Sequence, residues 1–189
     1  MAPLYHRESG FTSIRASGVE DEIEHIEDPD DPGREISRDY DQLILDTIDS
    51  NLQAVGYEKV DDPEADVPDL YVFVNATTST HTATNMPWGP IWGWYPGLPS
   101  WGYDWNFYFP YYGGGGVYKF ATGSILIYMV DAREVDPDKG QIPVIWNAIL
   151  NGPLSDSGLN SSGSTAARLE DAINRAFAQS PYLGYTGTE

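Results

Sequence analysis

Apolar residues recur every three or four positions from Ile36 through Tyr40, Leu43, Ile44, Ile48 and Leu52 to Val55. That period predicts an amphipathic helix. Ser37 is placed to cap it, and Asp39 and Asp41 sit where the helix dipole favours acids. Gly56 falls just past the last apolar position, where a left-handed cap ends a helix. A second stripe (Ala166, Leu169, Ile173, Ala176, Phe177) predicts a helix over 164–179, capped by Ser164 and stopped by Pro181.

Between the helices the period changes to two. Residues 57–60 read as a short strand, and 69–76, dense in β-branched and aromatic residues, as a buried one. The threonine-rich run 77–84 can continue it with threonine on an exposed face. Residues 117–130 form a strand broken by Gly123. Ile142–Leu150 is its hairpin partner across the turn signature Asp136-Pro137-Asp138-Lys139-Gly140. Leu70, Val72 and Val74 share one side, with Tyr71 and Phe73 on the other. Ile125, Ile127 and Met129 oppose Leu126, Tyr128 and Val130 in the same way. Near the start, Phe11–Arg15 alternates weakly and allows a short strand. Glu20–Gly33 carries two prolines and a glycine among acids and reads as a connection.

Two amphipathic helices bury their stripes by packing on one face of a sheet. The expected fold is α+β: a mostly antiparallel sheet, both helices on one face, and a long aromatic loop. The 189 residues are expected to form a single domain, with an acidic stretch 1–35, a core 36–182 and an insertion 86–116.

That insertion dominates the functional question. Residues 88–112 hold 12 of the chain's 25 aromatics and five of its six tryptophans. Pro87, Pro90, Pro96, Pro99 and Pro110 oppose helix and central strand, and Gly89, Gly93, Gly97 and Gly102 permit reversals. The segment reads as a long loop or loose hairpin, with Gly113–Gly116 as its exit. Either its rings fold down over the sheet, or they form an exposed patch that meets a ligand, lipid or protein. Trp88, Trp92, Trp94, Tyr95, Trp101, Tyr103 and Trp105 are the candidate binding residues. Asp104 is the single charge in 86–116, which argues against an ionic ligand there.

Charge narrows the partners. The formal net charge is −19, with 20 acidic and 5 basic side chains in residues 1–69. Such a surface disfavours nucleic acid and anionic membrane surfaces. The acidic third is either a solvated face or a docking surface for a basic partner or divalent cations. The absence of cysteine removes disulfides, thiolate metal sites and cysteine nucleophiles. No apolar run approaches the ~20 residues that span a bilayer.

Catalytic signatures are missing from the local sequence. His6, His25 and His81 have no second histidine at helical spacing. Gly113–Gly116 with Lys119 does not form a phosphate-binding loop. Asp28, Asp30 and Asp31, or Asp136 and Asp138, offer oxygen ligands but fit no calcium loop. No metal or cofactor is expected. A hydrolase with dispersed carboxylates is the least supported alternative, because nothing singles out two acids.

The order of motifs carries a resemblance. Leu52-Gln-Ala-Val-Gly56-Tyr57 is followed by Pro68-Asp69-Leu70-Tyr-Val-Phe-Val, then the Gly/Trp/Tyr-rich stretch. Thr122-Gly123-Ser124-Ile-Leu-Ile-Tyr-Met-Val130-Asp131 and Pro143-Val144-Ile145-Trp146 come next, and a last helix carries Ala172, Ile173 and Phe177. Over 36–182 this resembles the bacterial envelope lipoproteins of domain of unknown function 4136. Tyr128, where that family often has Asp, and Asn147-Ala148 after the tryptophan depart from its pattern. The resemblance implies residence in the periplasm or at the outer membrane. With no lipidation cysteine in the chain, any lipid anchor lies upstream of residue 1. It supplies no catalytic residues. Each shared motif has a scaffold role, and Trp146 is expected to pack against a helix. The expected function is therefore non-enzymatic: binding an envelope protein or other macromolecule through the aromatic loop or a sheet edge. The alternative is glycan binding by stacked tryptophan and tyrosine of 88–112.

Overall fold

The computed structural model describes residues 16–19, 22–26, 37–61, 66–77, 82–83, 106–108, 118–119, 123–134, 141–154 and 164–184. Its elements in chain order are β1 (Ala16–Val19), β2 (Glu24–Ile26), α1 (Asp41–Ala54), β3 (Glu58–Lys59), β4 (Leu70–Thr77), β5 (Thr82–Ala83), β6 (Asn106–Tyr108), β7 (Tyr118–Lys119), β8 (Ser124–Asp131), β9 (Gln141–Leu150) and α2 (Thr165–Ala178).

The sheet has seven strands in the order β3-β1-β4-β8-β9-β6, with β2 also on β4. Its centre is antiparallel: β4 pairs β8 from Leu70↔Asp131 to Thr77↔Ser124, and β8 pairs β9. All the flanking pairs are parallel, namely β1 with β3, β1 and β2 with β4, and β6 with β9. The sheet is therefore mixed: its long central pairs are antiparallel, as expected, and its flanks add parallel pairs. Strands added from distant parts of the chain set their direction by where they arrive, and local patterning carries no trace of that.

Two of those additions escape sequence reading. Glu24–Ile26 lies inside the acidic run taken for a connection, yet it pairs with Asn75–Thr77. Ile23, fully buried, anchors it, and Asn75 Nδ2 donates to Glu24 Oε2 at 2.7 Å. Tertiary pairing outweighs weak strand propensity here. Asn106–Tyr108, in the segment read as loop, is a parallel strand on β9. The weak strand expected over 11–15 lies outside the described residues.

The helices form as their periods predict. Ser37 Oγ accepts from Asp39 N at 3.2 Å, though the first turn is a 3-10 segment, Arg38–Tyr40, before α1. Ser164 Oγ accepts from Ala167 N at 3.2 Å at the start of α2. Gly56 takes φ 103°, a conformation costly for any residue with a Cβ. Both helices lie on one sheet face. The core joins Ile44, Ile48 and Leu52 of α1, Leu169, Ile173 and Phe177 of α2, and the expected sheet residues Leu70, Val72, Val74, Ile125, Ile127 and Met129. Each such side chain contributes roughly 1.5–3 kcal/mol by leaving water. Trp146 packs against Phe177 with ring centroids 5.3 Å apart and the planes tilted by 37°, and donates from Nε1 to Ser180 Oγ at 3.0 Å. One indole thus ties β9 to α2 and its exit.

Candidate functional site

The second sheet face also carries a patterned layer. Cross-strand rows place Phe73 beside Tyr128 and Tyr128 beside Asn147, with Tyr71 beside Val130 in the next row. Phe73 and Tyr128 stack with ring centroids 5.3 Å apart. Every residue of β4 and β8 is buried, on both faces. Two amide atoms here, Asn75 Oδ1 and Asn147 Nδ2, are buried with no hydrogen-bond partner.

The connection from β4 to β8 is an excursion with a firm base. Thr77 and Ser124 are paired, and Gly123 N donates to Thr77 O at 2.9 Å. Ser124 Oγ lies 3.2 Å from Asn151 Oδ1 and accepts from Gly152 N. Leu154 N donates to Gly123 O, so the turn after β9 braces the same point. Farther out, Thr82 pairs Lys119 and Ala83 pairs Tyr118 as a small stem. The excursion touches the sheet again where β6 meets Gln141–Pro143. Trp88, Trp92, Trp94, Tyr95, Trp101, Tyr103 and Trp105 lie outside the described residues. So do Asp28, Asp30, Asp31, Asp136 and Asp138.

Several of the described charged groups are engaged in structural pairs. His25 Nε2 lies 3.0 and 3.1 Å from the two carboxylate oxygens of Asp41, joining β2 to the start of α1. Arg38 Nη1 reaches Glu22 at 3.0 Å. Asp131, almost wholly buried, accepts from Arg133 Nε and backbone N as well as Nη2, closing the turn after β8. No group of three or more His, Asp or Glu among the described residues is arranged to hold a metal.

Two titrations have readable consequences. The hydrogen bond from Lys59 to Asp49, 3.1 Å across the α1–β3 junction, holds the ammonium above its usual 10.5. Burial pushes the Tyr71 phenol above its usual 10.0. In both cases the folded value exceeds the unfolded one, so folding favours the protonated form. These contributions are intact below about pH 10 and are lost as pH rises through the folded values. Urea unfolding at pH 9 and pH 11 should show that loss, and a Lys59→Met, Tyr71→Phe double variant should flatten it. An equal loss in the double variant would contradict the assignment.

The position of β9 near the margin of the sheet has no local signature in the sequence. β6 covers only Gln141–Pro143, and among the described residues no strand lies outside Val144–Leu150. Ile145, Asn147, Ala148, Ile149 and Leu150 are correspondingly half-buried.

Comparisons with known proteins agree with this architecture. No curated protein matches the chain. A crystal structure of a DUF4136 family protein from Bacteroides thetaiotaomicron VPI-5482 is similar at TM-score 0.66 and 28% identity, covering 97% of this chain and 96% of that one. The family described as "Domain of unknown function (DUF4136)" matches residues 16–182, and the chain belongs to that family.

Proposed function

We propose that this domain is a non-enzymatic module of the bacterial cell envelope that captures a macromolecular partner, an envelope protein or a glycan, through the excursion between β4 and β8. Trp88, Trp92, Trp94, Tyr95, Trp101, Tyr103 and Trp105 are its contact residues. The observation that carries this reading is the excursion's base. A segment holding nearly half the aromatics departs from and returns to paired residues, Thr77 and Ser124, of the two central strands. Recognition segments are commonly long connections set on such a rigid scaffold. Trp and Tyr also supply large contact area at low conformational cost. The near absence of charge in 86–116 fits protein apolar surface or neutral sugar faces. The envelope location rests on the resemblance to envelope lipoproteins. No described helix is long and apolar enough to cross a membrane.

A photoreactive amino acid at position 101 should give a discrete crosslinked product in bacterial envelope fractions, and the same probe at Glu170 on α2 should not. Titration with neutral polysaccharides, read by Trp emission, tests the glycan arm. Identical crosslinks from both positions, or neither crosslink nor spectral change, would contradict the proposal.

A further inference from the structure

The turn that leaves β9 brings a reactive pair of residues to the root of the excursion. Asn151 is the one asparagine in the chain that is followed by glycine. Gly152 takes φ 72°, a conformation that favours glycine, and with no Cβ it leaves its own nitrogen open to the side chain before it. Asn151 is exposed, whereas Ser124, the first residue of β8, is wholly buried. The Ser124 hydroxyl touches both residues of the pair. It donates to Asn151 Oδ1 at 3.2 Å and accepts from Gly152 N at 3.3 Å.

The turn is fixed at two further points. Leu154 N donates to Gly123 O at 3.1 Å, and Arg168 Nη2 of α2 donates to Pro153 O at 3.2 Å. The Asn151 amide and the Gly152 nitrogen are thus held around one hydroxyl. Closing Gly152 N onto Asn151 Cγ makes a five-membered ring, and holding the two groups in place removes much of the entropy cost of that closure. A hydroxyl bound to both can take a proton from one and give its own to the other.

We infer that Asn151 and Gly152 are a self-modifying site, at which the Asn151 side chain cyclises onto the Gly152 nitrogen with Ser124 as the proton relay. Gly152 N bonds to Asn151 Cγ as its proton passes to Ser124 Oγ and the Ser124 proton passes to Asn151 Oδ1. The Cγ–Nδ2 bond then breaks, and Nδ2 leaves as ammonia, carrying the proton returned from Oδ1. Water, which reaches the exposed Asn151, opens the resulting succinimide at either carbonyl and gives aspartate or isoaspartate. Either product adds one negative charge to a chain of net charge −19. The isoaspartyl form also lengthens the main chain by one carbon, between β9 and the turn that braces Gly123. This chemistry is independent of partner capture by the aromatic segment.

The test incubates the full chain at mildly alkaline pH and follows residue 151 by peptide mapping, with enzymatic isoaspartyl methylation to count the isomer. A synthetic peptide of residues 147–155 is the unassisted reference. Conversion in the folded chain should outpace the peptide about tenfold or more, and Ser124→Ala should remove that advantage. Asn151→Gln, whose closure needs a larger ring, should stay unmodified. The comparison of folded chain with peptide needs no variant, so it keeps the test decisive if Ser124→Ala misfolds. Conversion no faster than in the peptide, or conversion undiminished in a folded Ser124→Ala chain, would overturn the inference. Either result would leave crosslinking through position 101 untouched.

Discussion

Replacing Trp146 by alanine is expected to lower stability by about 3–5 kcal/mol, the usual range for deleting a buried indole. The residue is 6% exposed and sits among the core residues of the sheet and both helices. Its loss opens a cavity between β9 and α2, removes the contact with Phe177, and leaves the Ser180 hydroxyl without its donor. For a domain this size the melting temperature should fall by roughly 2–4 °C per kcal/mol. Trp146→Phe keeps a ring against Phe177 and loses chiefly the hydrogen bond, so it should cost only about 1–2 kcal/mol. Urea unfolding of the two variants reads the difference. Equal, small effects from both would mean that the indole does not hold the helix to the sheet.

Trp146 was legible in the chain because its partners are. The Ala166–Phe177 stripe, the Ile36–Val55 stripe and the alternation along 70–74 and 125–130 each state a period, and period alone orients a side chain. The Gly56 cap, the two serine caps and the stop at Pro181 are equally local, and all appear in the fold. What local pattern cannot state is pairing over distance. Glu24–Ile26 becomes a strand because Asn75–Thr77 is there to receive it, and Asn106–Tyr108 because β9 presents an edge. The parallel flanks of the sheet have the same origin. The candidate site divides along this line. The aromatic segment announced itself by composition. That Asn106–Tyr108 lies beside Gln141–Pro143 of β9 is known only from the strand order.

The largest functional effect is expected from replacing Trp92, Trp94, Trp101 and Trp105 by alanine together. Trp146 and the described core remain in this variant, so folding should persist. Partner capture should be abolished, because large aromatic side chains dominate the energy of most interfaces. The effect should be graded, with single replacements each costing part of the affinity. Non-additivity among neighbouring rings would show that they bind as one surface.

On this reading the fold is a scaffold and its tryptophan-rich excursion makes the contact. The most direct test measures thermal unfolding and crosslinking of that fourfold variant side by side. A melting temperature within a few degrees of the parent chain, with loss of the crosslinked product that a photoreactive residue at position 103 gives in the otherwise unaltered chain, is the predicted result. A variant that no longer unfolds cooperatively, or one that stays folded and still yields the product at full strength, would contradict it.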